Sequence, residues 1–177
     1  MLKRVWLFFG LAGILLLSGC FNKSQKGDEL IAFYNHWMEN WEIDSSTYSS
    51  LNWAEDAEEM LLIIENDILP VLTKSVDYLE QTDLEYRAVN DLNELLLDRE
   101  SYLLALFQEL ADELNPDSTE SETEIALEKF NENSMPIADK NKEFAESLDT
   151  LMDKYHVYWI TEYDSNGEEL ERLGKDR

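Results

Sequence analysis

The sequence predicts an all-α fold: an antiparallel bundle of three long helices with one short N-terminal helix. Three observations predict it. Apolar residues recur at three- and four-residue spacing through most of the chain, while strict alternation is scarce. Only 3 prolines and 6 glycines punctuate the 177 residues. Turn chemistry gathers near residues 82 and 116 and leaves long periodic segments between.

The short helix is expected over Asp28 to Trp41. Leu30, Tyr34, Trp37 and Trp41 repeat at i, i+4, i+7 and i+11 and share one face, which Phe33 and Met38 widen. Glu42 to Asn52 carries Asp44 and the run Ser45-Ser-Thr-Tyr-Ser-Ser50, which reads as a loop. A second helix is expected from Trp53 to Gln81, with Leu61, Ile64, Ile68 and Val71 as its stripe. Pro70 falls inside the stripe. It removes one backbone donor and crowds the preceding turn, so a kink is expected there, and Leu72, Val76 and Leu79 continue beyond it.

Thr82-Asp-Leu-Glu85 matches a capping box and should open the third helix. Tyr86, Val89, Leu92, Leu96, Leu103, Leu106, Leu110 and Leu114 then follow on one face, and Asn115-Pro116 ends it. The fourth helix should start near Ser118 to Ser121 and run in heptad register from Leu127 to Tyr158. Pro136 interrupts it, and Ser134 offers a fresh cap there. Ser134 and Asn141 on this seam, and Arg99 on the third helix, are polar residues at core positions. His156 to Tyr163 fits either a helix end or a short strand. Tyr155, Tyr158, Trp159 and Tyr163 are expected to cover the part of the groove that the short helix cannot reach. Asp164-Ser-Asn-Gly167 is a turn, and residues 164–177 read as a charged flexible tail.

The beginning of the chain has another character. Lys3 and Arg4 precede an apolar run from Val5 to Leu17. A membrane-crossing helix needs about 20 apolar residues, so this run is too short to span and has the form of a secretory signal. It ends in Leu17-Ser18-Gly19-Cys20. These four residues resemble the lipobox of bacterial lipoproteins: a leucine, two small residues, then the cysteine. The resemblance implies that residues 1–19 are a signal peptide removed before Cys20, and that the Cys20 thiol carries a diacylglyceryl group. It further implies anchoring on the extracytoplasmic face of the cell membrane, with residues 20–27 as a lipidated tether and residues 28–163 as the bundle domain. Two acyl chains suffice for stable anchoring where one does not. Phe21 is not the aspartate that retains a lipoprotein at a Gram-negative inner membrane, so an outer-membrane site stays open.

Cys20 is the single cysteine, so the mature chain has no internal disulfide and depends on its hydrophobic core. Loss of Lys3 and Arg4 leaves 12 bases against 39 acids, a formal charge of −27. Such a surface is repelled by phosphate backbones, which argues against a nucleic-acid partner. The imbalance is concentrated: residues 28–72 hold 11 acids and no Lys or Arg, and residues 89–128 hold 12 acids with Arg99 as the one base. This is either a solvated surface or an attractor for a cationic partner.

The densest candidate interaction surface is aromatic: Phe33, Tyr34, Trp37, Trp41, Tyr48 and Trp53 fall within 21 residues. Trp37, Trp41, Tyr48 and Trp53 are the candidate partner-binding residues, with core packing as the competing role for each. No metal or cofactor site is expected. Asp153 and His156 supply one carboxylate-x-x-His pair, but His36 has Phe33 where a second pair needs an acid. Asp164 to Glu171 lacks the ligand spacing of a calcium loop. No nucleophile motif or phosphate loop is present, so a non-catalytic protein is expected. The expected function is a membrane-anchored interaction module binding an envelope protein. The alternative is a binding protein for a small cationic ligand, a basic peptide or a divalent cation; oligomeric state is left open.

Replacing Cys20 with Ser should abolish acylation and leave the chain unprocessed. Mass measurement of the N-terminal peptide from membranes checks this, and a chain cut at an unmodified Cys20 would refute the lipoprotein reading.

Overall fold

The computed structural model describes residues 23–41, 43, 45–163 and 169–175. The expected signal segment, Cys20 and the turn expected at Asp164 to Gly167 lie outside the described residues. The fold is mostly all-α, with one small two-stranded sheet. By internal contacts it forms two compact units, residues 36–148 and residues 23–35 with 149–175. The expected single bundle over 28–163 is therefore divided.

In the larger unit, helix α1, which covers 23–41, ends, and α2 (Ser45–Trp53) follows. From Ser45 onward the segment read as a loop is thus helical. Serines and threonines are weak helix formers, but tertiary packing overrides that preference: Tyr48 stacks on Phe107 at 6.1 Å, and Leu51 packs on the core. Helix α3 (Ala57–Ile63) has Asp56 as its N-cap, accepting from the Glu59 N–H at 2.9 Å. A π-turn (Ile64–Ile68) joins it to α4 (Leu69–Gln81). The Leu69 N–H donates to the Ile64 carbonyl five residues back. The widened turn relieves the crowding that Pro70 imposes on the turn before it, so the chain continues as helix.

Helix α5 (Arg87–Glu113) begins later than the Thr82–Glu85 box. The Thr82 hydroxyl donates to the Tyr78 carbonyl at 2.7 Å, so it serves the end of α4 instead. A complete capping box stands at Thr119 and Glu122, opening α6 (Glu120–Ser134). Met135 separates α6 from α7 (Pro136–Tyr155), with Pro136 in the first helical position. The Ser134 hydroxyl donates back to the Asn131 carbonyl rather than capping α7, and Asn141 is exposed, so neither is a core seam residue.

Helices α4 and α5 are antiparallel neighbours, and α6 with the first part of α7 runs antiparallel to α5. The Asn93 amide donates to the Leu79 carbonyl at 3.1 Å, and the Tyr102 hydroxyl to the Asn133 carbonyl at 2.7 Å. Lys129 bridges Glu109 and Glu113, and Lys140 pairs with Asp98. One core cluster joins Ile64, Ile68 and Leu72 to Phe107, Leu110 and Leu114.

The smaller unit holds the start of α1, the end of α7, and the hairpin β1 (Tyr158–Tyr163) and β2 (Glu169–Gly174), paired antiparallel with Trp159 opposite Leu173. His156 ends α7 with φ 56°, and the Val157 N–H returns to the Met152 carbonyl at 2.9 Å. This is the Schellman pattern, with buried Val157 and Met152 as its hydrophobic pair. The left-handed position favours glycine, so His156 sits there at a cost.

The tail reading fails for residues 169–175. Leu173 is buried, and the Asn35 carboxamide exchanges two hydrogen bonds with its backbone at 2.9 and 2.7 Å, as a neighbouring strand would. The tether reading fails for residues 23–27, which are helical. Gly27 is buried, and a Cβ there would lie 3.3 Å from the Tyr155 carbonyl oxygen. Lys175 Nζ donates to the Ser24 carbonyl and to Asp28 Oδ1. Tyr155 is buried, while Tyr158, Trp159 and Tyr163 keep exposed surface.

Leu173→Ala should destabilise this unit by about 2–5 kcal/mol, and His156→Gly should stabilise it by about 1 kcal/mol. Hydrogen-exchange protection of the β1–β2 amides checks both. Unchanged protection on Leu173→Ala would restore the loose tail.

Candidate functional site

The aromatic candidates separate in the fold. Trp37 is 1% exposed and belongs to the core, so it is not a surface for a partner. Its indole N–H donates to Ser75 Oγ at 2.9 Å, and the Ser75 hydroxyl donates to Glu100 Oε2 at 3.2 Å. Glu100 is 2% exposed, and its Oε1 accepts from Arg99 Nε at 2.9 Å and Nη2 at 2.6 Å. The Arg99 guanidinium lies 5.1 Å from the Trp37 ring centroid and 5.5 Å from that of Phe144. Arg99, the polar residue expected at a core position of the third helix, is thus held between two aromatic faces and one buried carboxylate.

Trp41 is half-buried beside Tyr78 at 6.4 Å, where burial pushes the Tyr78 hydroxyl pKa up against a smaller opposing effect of Thr82. Tyr48 is half-buried against Phe107. Trp53 alone of the four is freely displayed, 82% exposed at the end of α2.

Directly after Trp53 the chain enters a cleft of about 750 Å³ between the α2–α3 junction and one face of α6. Ala54, Ala57, Met60 and Leu127 give it an apolar floor. Glu55 and Asp56 stand on one side, and Glu120, Glu124 and Glu128 on the other. No Lys or Arg is among its lining residues. Lys129, next in the chain, is turned to α5, where Glu109 and Glu113 hold its ammonium above the ordinary lysine range and it in turn lowers the Glu109 carboxyl. Glu122 is likewise occupied: the Thr119 backbone N–H, then its hydroxyl, lower its pKa.

The walls are rigid for local reasons. Asp56 caps α3, while the Glu55 N–H donates to Glu59 Oε2 at 2.7 Å. On the other side the Thr119–Glu122 box fixes the first turn of α6. The five cleft acids were not singled out by motif. The one signal in sequence was the base-free run over 28–72 and the near base-free run over 89–128. Only the fold brings these runs face to face.

Of the pair Asp153 and His156, the latter is the left-handed cap of α7. Among the described residues no group of three His, Cys, Asp or Glu side chains is placed to hold a metal ion. Among those residues no helix is long and apolar enough to cross a membrane. Searches of protein-family models, curated proteins and solved structures found no match to this chain.

Trp37→Ala should cost about 3–5 kcal/mol by emptying the core and orphaning the Ser75–Glu100 pair, whereas Trp53→Ala should stay within about 0.5 kcal/mol. Urea unfolding of the two variants checks the separation. Equal losses would mean that Trp53 is a core residue.

Proposed function

We propose that the chain is a lipid-anchored, extracytoplasmic, non-catalytic interaction module of the cell envelope, and that the cleft between the α2–α3 junction and α6 is its binding surface. The lipobox residues at 17–20 support the anchoring. The cleft is the observation that carries the binding role. It is concave, apolar at its base and polar at its rim, and its size falls within the roughly 300–1,000 Å³ typical of ligand sites. Its walls are held by capping hydrogen bonds, so little ordering free energy is lost on binding. Trp53 adds an exposed aromatic next to the cleft residue Ala54, of the type that anchors interfaces.

A second reading is favoured by one observation. Five carboxylates and no base line the cleft, which suits a small cationic ligand. Salt separates the two readings. Capture by charge alone should fade steeply above about 0.15 M, where the Debye length is near 8 Å, whereas burial of apolar surface should persist.

Photo-crosslinking on living cells, with the probe at Thr123 in the cleft and separately at Trp53, should give one recurrent protein adduct. A probe at the exposed Ala105 on α5 should not give it. Absence of an adduct from both test positions, or the same adduct from Ala105, would defeat the interaction-module reading.

A further inference from the structure

We propose that the occupant of this cleft is an extended protein segment in which basic and apolar residues alternate; this rests on the cleft being the binding surface of an interaction module. Three features of the site converge on that ligand. The first is spacing. Glu120, Glu124 and Glu128 all line the cleft from α6. Residues four apart on a helix rise about 6 Å. Side chains on one face of an extended chain recur about every 6.8 Å. Basic residues at every second position of an extended segment therefore meet the three glutamates in turn.

The second feature is the floor. In an extended segment the intervening side chains point the opposite way. With the basic residues facing the α6 glutamates, the intervening residues are directed toward Ala57 and Met60 on the opposite wall. Apolar residues at those positions gain burial there, and charged ones would be left without partners.

The third is size. The α6 face from Glu120 to Asn131 spans about 17 Å, the length of about five extended residues. Strands packed as in sheets occupy roughly 160 Å³ per residue, so five fill about 800 Å³. The cleft holds about 750 Å³. A helical ligand with bases four apart would also satisfy the spacing, but spanning the same 17 Å takes about 11 residues, below the roughly 12–15 at which a helix holds in water, so it carries a nucleation cost that an extended segment does not. A divalent ion would use neither the floor nor the length.

The test uses the full-length chain in detergent micelles and fluorescent peptides. A Lys-Val-Lys-Val-Lys peptide is compared with its isomer Lys-Lys-Lys-Val-Val, which has the same charge and composition. The alternating peptide should bind more tightly by about tenfold, and Glu124→Gln with Glu128→Gln should weaken it by about tenfold, the loss that two solvent-facing ion pairs support. Glu132→Gln with Glu143→Gln, an equal change of charge outside the cleft, should leave binding unchanged. Equal binding of the isomer, equal weakening by the control pair, or no binding of the alternating peptide would overturn the proposal. The Thr123 crosslink keeps this distinct from the underlying reading. An adduct mapping to a helical or acidic stretch of the partner overturns the ligand class and leaves the module intact, while no adduct overturns the module itself.

Discussion

The carboxylate of Glu100 is almost wholly withdrawn from water, and the larger unit is arranged around keeping it partnered. A buried charge is tolerated only when its hydrogen-bonding capacity is filled, and losing one partner of such a pair costs about 3–5 kcal/mol. Ser75 on α4 fills one oxygen and Arg99 the other. Arg99 in turn lies between the rings of Trp37 and Phe144. One residue thereby ties α1, α4, α5 and α7 to a single register. A seam of leucines alone would tolerate sliding by a turn; a hydrogen-bonded chain running from indole to hydroxyl to carboxylate to guanidinium does not.

That arrangement decides what is left for binding. Trp37 is consumed by the network and Tyr48 by its stack on Phe107. The same stack draws α2 onto the core, and the chain turns at Asp56 to begin α3. Because α6 is held to α5 by Lys129 and by the Tyr102 hydroxyl, the acidic face of α6 looks toward that turn. The cleft is the gap that remains. Its acids belong to two distant stretches of chain, and each stretch lacks the bases that would neutralise it.

The smaller unit bears on anchoring. Helix begins by Lys23, three residues after Cys20, and a chain of that length reaches at most about 10 Å. Lipidation at Cys20, as proposed, would bring this unit close to the membrane; its first described helical turn is held by Lys175 and by the close approach at Gly27. The carboxamide of Asn35 covers the backbone of Leu173, which limits the exposed strand edge that could pair with other chains.

Helical periodicity was legible because burial of one helix face demands it locally: Leu61, Ile64 and Ile68, and Val89, Leu92 and Leu96, are all buried as their spacing required. Pro70 and Pro136 were legible as disturbances because a missing donor acts wherever it stands, although only the fold turned the first into a π-turn and the second into a helix start. The serine-rich stretch before Trp53, the hairpin at the end of the chain and the position of the first cap of α5 were not legible. The first two are settled by partners distant in sequence, Phe107 for Tyr48 and Asn35 for Leu173, and the third by the Tyr78 carbonyl four residues back, which takes a threonine that could equally have begun the next helix. The sequence by itself determined the all-α class, the charge and its uneven distribution, since these depend on composition and on spacing within one turn. The tertiary structure alone decided which tryptophan is core and which is displayed, and that two acidic stretches some seventy residues apart share an apolar-floored cleft, because facing contacts arise only when helices pack.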